Sequence, residues 1–330
     1  MPPSPGSGAL GAGVPAPDSL PARIAYLGPQ GTFSEEALTG EADLATAELV
    51  PMATIEEAID AAERGEVDAA FVPIENSIEG SVNVTLDRLV FDAGLLIQRE
   101  VVLDVHLDLL ARAGTSLSAI GRVLSFPVAA AQCRRYLAEH LPGVEVGAVS
   151  STAEAARHVA EAPDVAAAVA PGVSAKLYGL EVLAHAIEDH PGNQTRFVLV
   201  APDVVPPASG HDKTSIVCFQ QTNRPGSLHE ILGQFAARNL DLTRIESRPT
   251  KQALGEYCFV IELGGHLADE LVADCLEELH VTLGRLKFLG SYPAYGAESS
   301  RVREEIAARR AEARAWLGSL RAKLGPAAPA

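Results

Sequence analysis

The chain has 330 residues, with 26 Lys and Arg against 43 Asp and Glu, and a net charge of −17. That length allows two domains or more, each able to bury its own core. The acidic balance excludes a general nucleic-acid binder, which needs a basic face, and no uninterrupted apolar run is long enough to span a membrane. An anionic ligand must therefore be met locally, by backbone N–H groups and a few Arg. Cys133, Cys218, Cys258 and Cys275 form no CxxC pair and have no His at metal-ligand spacing, so they read as core residues of a protein in a reducing cytoplasm.

Residues 1–22 are rich in Pro, Gly, Ala and Ser and show neither the basic nor the apolar region of a secretion signal, so a disordered tail is expected. Ile24 to Leu27 reads as the first strand. It runs into Gly28-Pro29-Gln30-Gly31-Thr32-Phe33-Ser34, where Thr32 and Glu35 have capping-box spacing and so mark a helix N-terminus with outward N–H groups. The glycines do not follow the dinucleotide fingerprint, and no acidic residue follows at the distance a ribose requires. Residues 47–50 predict a second strand, and Thr54 with Glu57 caps a helix carrying Ile55, Ala58, Ile59 and Ala62 on one face. Ala69 to Val72 is a third, buried strand. Glu75, Asn76 and Ser77 crowd the turn after it, and a helix with Val82, Leu86, Leu89 and Val90 on one face follows. A polar turn between strand and helix is where open α/β sheets bind ligands, although these side chains also serve ordinary turn chemistry.

Leu95 to Ala111 predicts one or two long strands, with His106 on the polar side. A second alternating unit then begins: a strand at 123–125, a helix opened by Pro127 with Gln132 beside its apolar face and near Ser125, and a strand at 144–149. Ser151 with Glu154 caps a further helix, and strands follow at 165–170 and 182–187. A polar turn, Gly192-Asn193-Gln194-Thr195-Arg196, leads to a last strand, Phe197 to Val200. Two α/β lobes joined by long strands, with three polar turns facing one cleft, resemble the layout of periplasmic binding proteins.

Residues 204–213 read as a linker, and residues 214–293 follow the order βαββαβ of a ferredoxin-like sandwich. A solvated helix is expected over 298–324.

Taken together, GPQGTFSEEA (28–37), VPIENSIEGSV (72–82), NQTRF (193–197) and ESRP (246–249) resemble the prephenate dehydratases, and the sandwich resembles their ACT regulatory domain. The resemblance implies a two-lobed catalytic domain over 23–203 that converts prephenate to phenylpyruvate, with loss of CO2 and water and without metal or other cofactor. It implies Thr195 as a hydrogen-bond donor to the departing hydroxide, within a network of Asn76, Ser77, Gln132 and Ser125. Gly31, Thr32, Phe33, Ser34, Glu75, Arg196 and Phe197 are then expected around the substrate. N–H groups near Gly31 to Ser34, with Arg196, clamp the pyruvyl carboxylate, while Phe33 and Phe197 are candidates for an apolar wall and equally good core residues. A site that gripped the ring carboxylate would stabilise the ground state against decarboxylation.

The resemblance further implies feedback by L-phenylalanine at an interface between two ACT domains of a homodimer or homotetramer. Asn223, Pro225, Gly226 and Leu228 would form the carboxylate end of that site, with Leu242, Thr243, Glu246 and Ser247 lining it from the partner's strand. Ser125-Phe126-Pro127-Val128 stands where many members have His-Pro-Gln, and Gly226-Ser227-Leu228-His229 where they have Gly-Ala-Leu-Val, which implies a weakened response. Removal of residues 204–330 is expected to leave an active domain insensitive to phenylalanine. A non-catalytic binder of a small carboxylate is the other reading, and Thr195 in its turn is the residue such a sensor would not need.

Overall fold

The computed structural model describes residues 20–161, 166–220, 224–295 and 312–320. The expected tail therefore lies outside the described residues up to residue 19, as does the terminal helix apart from a helical stretch at 312–320.

The first lobe is built from β1 (Arg23–Leu27), α1 (Phe33–Gly40), β2 (Glu48–Met52), α2 (Ile55–Glu63), β3 (Ala69–Asn76), β4 (Gly80–Ser81), α3 (Asn83–Asp87) and β5 (Leu96–Asp104). The second lobe runs through β6 (Asp108–Ala111), β7 (Arg122–Ser125), α4 (Pro127–Gln132), α5 (Arg134–His140), β8 (Glu145–Ala148), α6 (Thr152–Glu161), β9 (Ala166–Ala170), α7 (Gly172–Tyr178) and β10 (Glu181–Ala184). The chain then returns through β11 (Gln194–Ala201), which lies between β3 and β5 in a sheet ordered β2-β1-β3-β11-β5. The second lobe has its own sheet, ordered β10-β6-β9-β7-β8. Strands β1, β2 and β3 are parallel, whereas β11 is antiparallel to both of its neighbours, as a returning strand must be.

Local chemistry explains most of the boundaries. Thr54 accepts from Glu57 N at 3.1 Å while Glu57 reaches back to Ala53 N at 3.1 Å, so a reciprocal cap forms with the Glu bond one residue before the N-cap. Ser151 and Glu154 do the same at α6, with Ser150 N held at 2.9 Å. At α1 only half of the box forms: Glu35 takes the Gly31 N–H, while the Thr32 hydroxyl donates back to Leu27 O at 3.1 Å. Two expected elements are shorter than their patterns. The helix opened by Pro127 breaks at Cys133, and the strand expected over 182–187 stops at Ala184, because Ala186 takes a positive φ of 49° and its N–H turns to Asp108 Oδ1.

The C-terminal unit is β12 (Asp212–Phe219), α8 (Ser227–Ala237), β13 (Leu242–Pro249), β14 (Tyr257–Gly264), α9 (Glu270–Thr282) and β15 (Arg285–Pro293), with sheet order β13-β14-β12-β15. This is the expected ferredoxin-like topology. The linker ends early, because Asp212 both begins β12 and gathers Ser209 N and Gly210 N on its carboxylate.

The two units are not separate bodies on a string. One apolar cluster runs from Ile59, Val72 and Leu89 of the first lobe into Val217, Val260, Leu289 and Tyr292 of the C-terminal sheet. At Gly290, with φ 145°, an added Cβ would lie 2.5 Å from Ile97 O, so β15 meets β5 at a spacing that only glycine permits. A shared core of this kind argues against the expectation that the catalytic domain survives unaltered once residues 204–330 are removed.

Candidate active site

Strand alternation assigns the two faces of the central sheet. Thr195 pairs with Asn76 and Arg196 pairs with Glu75 across β11 and β3. Successive side chains point to opposite faces, so Thr195 and Asn76 look into the cleft between the lobes while Arg196 and Glu75 look away from it.

Asn76 organises the cleft side. Its Oδ1 accepts from Ile78 N and Glu79 N, both at 3.0 Å, which fixes the amide with Nδ2 outward. Nδ2 then donates to Asn193 Oδ1 at 2.8 Å, Thr195 Oγ1 at 2.9 Å and Gln194 O at 3.1 Å. Because Thr195 Oγ1 accepts there, its own hydrogen is left to donate into the cleft. Asn193 Nδ2 donates to Gln132 Oε1 at 3.1 Å, and Gln132 Nε2 reaches Glu79 at 3.3 Å, so the network crosses from one lobe to the other. Ser77 lies beneath it: Oγ accepts from Gln194 N at 2.9 Å and lies 3.4 Å from Asn193 Oδ1.

The cleft has a volume of about 920 Å³ and is lined by Gln30, Thr32, Phe33, Ser34, Asn76, Gln132, Ser151, Thr152, Thr195 and Phe197 among others, with no Lys, Arg or His among the described residues of its lining. The N-termini of α1 and α6 both border it, and their first N–H groups have no helical carbonyl to bond. Phe33 packs against the cores of both lobes, and Phe197 stacks on Phe71 with centroids 5.1 Å apart. Both aromatic residues therefore serve as wall and core at once. Gly31, with φ 86°, lies at the lobe boundary, where Ser174 Oγ donates to its carbonyl at 2.7 Å and Tyr178 donates to Gln30 O at 3.2 Å.

A family model described as prephenate dehydratase matches residues 24–204, and an ACT domain model matches residues 214–281. The chain belongs to the prephenate dehydratase family. The prephenate dehydratase of Mycobacterium marinum (strain ATCC BAA-535 / M) is 42% identical over 281 residues, which are 82% of this chain and 89% of that protein. The crystal structure of prephenate dehydratase in complex with L-Phe from Arthrobacter aurescens aligns with a TM-score of 0.78 at 42% identity, over 90% of this chain and 99% of that one. A structure described as GqqA, a novel type of quorum quenching acylases, aligns at 0.75 and 31% identity, over 82% and 98%.

Set against the family's expected site, four residues lie elsewhere. Arg196 is not free to clamp a substrate carboxylate, because its guanidinium is buried on the far face against Glu100, Glu262 and Glu75. Glu75 faces the same way. Ser125 is fully buried and donates to Val169 O at 2.8 Å, which ties β7 to β9 rather than opening on the cleft. Glu246 is committed within its own chain, where it accepts from Ser81 Oγ at 2.5 Å and from Arg244 and Arg248 at 2.7 and 3.2 Å. Burial opposes ionisation of Glu246, yet the bonds from Ser81 and Arg244 hold its carboxyl below its ordinary value.

ESRP is thus split by strand alternation. Glu246 and Arg248 turn to the first lobe, where Arg248 holds Asn83 and Asp87, while Thr243 and Ser247 stand exposed on the opposite side of β13. Of the other effector residues, Asn223 lies outside the described residues. Gly226 caps α8 with φ 89°, Pro225 is exposed, and Leu228 packs on the C-terminal core beside Leu242. Among the described residues no cluster of His, Cys, Asp and Glu is arranged to hold a metal ion.

Sequence reasoning assigned no role to Asn193, Glu79 or Glu262. Asn193 stood inside NQTRF and is only 3% exposed. Glu262 carried the clearer signal: a lone carboxylate in the apolar strand YCFVIELG requires a buried cation.

Proposed function

We propose that the cleft binds prephenate and releases phenylpyruvate, with Thr195 donating to the hydroxyl that leaves. The reaction breaks the bond from the ring to its carboxylate. The electron pair enters the ring, aromatises it and expels the hydroxyl from the opposite carbon; one proton from solvent completes water, leaving CO2 and the phenylpyruvate anion. Aromatisation drives the step, so the protein's task is to orient the dianion and to stabilise charge on the departing oxygen. A threonine hydroxyl is too weakly acidic to surrender its proton outright. Polarised by Asn76, it acts as a preorganised donor, a contribution of order 10²–10³ in rate.

The observation that carries this reading is the Asn76–Thr195 pair in a cleft whose described lining has no cationic residue. N–H groups at the start of α1 suit the pyruvyl carboxylate, and no cation in the described lining grips the ring carboxylate, which leaves its ground state unstabilised. Acyl transfer is not favoured, because the described lining has no His or Cys to activate or supply a nucleophile. Cys133, the closest cysteine in sequence to Gln132, is fully buried, and burial pushes its thiol up to about 12.

The ACT domain is proposed to bind L-phenylalanine between two copies, as a homodimer or homotetramer. The Arthrobacter aurescens relative was solved with that amino acid, and the N-terminus of α8 at Gly226 to Leu228 offers N–H groups to a carboxylate. The exposed side of β13, with Thr243, Ile245 and Ser247, offers the second wall. No described helix is long and apolar enough to cross a membrane, and four free buried cysteines suit a reducing cytoplasm. The test is ultraviolet detection of phenylpyruvate from prephenate with chelator-dialysed protein. Turnover without additive is expected; no product, or turnover restored only by metal, contradicts the reading.

A further inference from the structure

The far face of β11 carries the most completely engaged side chain at the boundary between the two units. Every nitrogen of the Arg196 guanidinium has a carboxylate partner. Nη1 lies 3.0 Å from Glu100 and 2.9 Å from Glu262, Nη2 lies 2.8 Å from Glu262, and Nε lies 3.2 Å from Glu75. Glu262 therefore receives the planar fork on both oxygens, the geometry that fixes direction as well as distance. Burial disfavours its charge, but Arg196 more than compensates and holds the Glu262 carboxyl below its ordinary value.

The charges around this fork come from both units. Arg196, Glu75 and Glu100 belong to the first lobe; Lys213, Arg244 and Glu262 belong to the C-terminal sheet. Lys213 holds Glu100 at 2.9 Å, and Arg244 lies 3.5 Å from Glu262 and 3.7 Å from Glu75. Arg244 is also paired with Glu246 of its own strand at 2.7 Å, so the excess carboxylate lies on the lobe side, where Lys213 reaches across to meet it. Contacts of Arg196 and Lys213 cross the boundary, so the fork keeps its geometry only while the two units stay in register.

Position along β11 gives this contact a consequence for the cleft. Arg196 and Thr195 share a peptide unit, and the β11–β3 register shifts immediately after Arg196. A bulge weakens the ladder that would otherwise set side-chain direction, and bulges re-aim side chains beside active sites. Pairing with β5 runs unbroken through Thr195 and Arg196, so the loosened side is the one that faces Asn76, and there the guanidinium fork adds a constraint.

We infer that Arg196 is a positioning residue. Gripped by Glu262 of the C-terminal sheet, it holds Thr195 at bonding distance from Asn76, so the seating of the C-terminal unit sets turnover in the cleft. The inference rests on the reading of Thr195 as the donor. A shift of β14 against β11 then changes kcat rather than KM, because Arg196 touches no substrate.

A double-mutant cycle on the full chain, read as phenylpyruvate formation, tests it. Glu262→Gln keeps the side-chain shape and removes the charge. It is expected to lower kcat about tenfold, within the 10²-fold that a misplaced group can cost, while KM stays within about twofold. In a Thr195→Ala background the same change should cost less than about twofold, since a residue acting through Thr195 has nothing left to position. An equal loss in both backgrounds, an unchanged kcat, or a loss confined to KM overturns the inference. Should Glu262→Gln not fold, Glu262→Asp keeps the charge but withdraws it by one methylene, and the same criterion applies. Near-normal kcat in Thr195→Ala alone would instead remove the donor reading itself, so the two failures are distinguishable.

Discussion

Asn76 Nδ2 lies 2.9 Å from Thr195 Oγ1, and the direction of that bond matters more than its length. The Asn76 carbonyl oxygen is held by two backbone N–H groups, so the amide nitrogen has no choice but to face Thr195. The hydroxyl thus accepts from one side and donates to the other. Asn193 and Gln132 extend the chain of bonds to the second lobe, which ties the pose of Thr195 to both lobes.

Asn76→Asp tests the direction. The substitution is nearly isosteric, but it sets an acceptor against Asn193 Oδ1, Gln194 O and Thr195 Oγ1, which are all oxygens. Relief comes when the Thr195 hydrogen turns towards the introduced carboxylate and away from substrate. Steady-state kinetics should show kcat down by at least about 10²-fold with KM little changed. A variant within a few-fold of the parent would contradict the assigned polarity.

Acid stability follows from Glu262. Its folded-state pKa is depressed, so the pair with Arg196 contributes fully above the unfolded value of about 4.3 and is lost as pH falls through the lower folded value. Urea midpoints measured from neutral pH downwards should therefore fall more steeply for the parent than for Glu262→Gln. Parallel curves would show that the pair contributes nothing.

Periodicity placed the three polar turns, the capping boxes at Thr54 and Ser151, and the βαββαβ order, because each is a local signal over a few residues. It could not say which face of β11 and β3 each motif residue would take, since that depends on which side meets the C-terminal sheet. Arg196, Glu75 and Glu246 all take the side that meets the other unit, where a residue more than 60 positions away adds to their contacts: Glu262 for Arg196, Arg244 for Glu75 and Ser81 for Glu246. Ser125 was misplaced by proximity to Gln132 in sequence, whereas β7 turns it inward onto Val169.

Truncation after residue 203 should cost more than regulation. It strips the apolar cluster of Val217, Val260, Leu289 and Tyr292 and leaves Arg196 without Glu262. The shortened chain is expected to melt at lower temperature by circular dichroism and to turn over more slowly per folded molecule. Parental melting and turnover together would show the units to be independent.

For the effector site, Gly226 offers a test that leaves the cleft untouched. Its φ of 89° is strained for any β-branched residue, so Gly226→Val should distort the N-terminus of α8. Calorimetry should show L-phenylalanine binding weakened several-fold or more, while basal turnover is kept; a strain of about 1–2 kcal/mol corresponds to that range. Unchanged affinity would move the effector away from α8.

The Thr195 hydroxyl is the group on which the proposed chemistry depends. Thr195→Val replaces it with a methyl group of nearly the same shape in the same strand, so packing is kept while the donor, and with it the acceptor for Asn76 Nδ2, is lost. With prephenate as substrate and phenylpyruvate followed by its ultraviolet absorbance, kcat should fall by about 10²-fold or more while KM changes little. A Thr195→Val protein that turns over prephenate at close to the parental rate would contradict the assignment of Thr195 as the donor to the leaving hydroxyl.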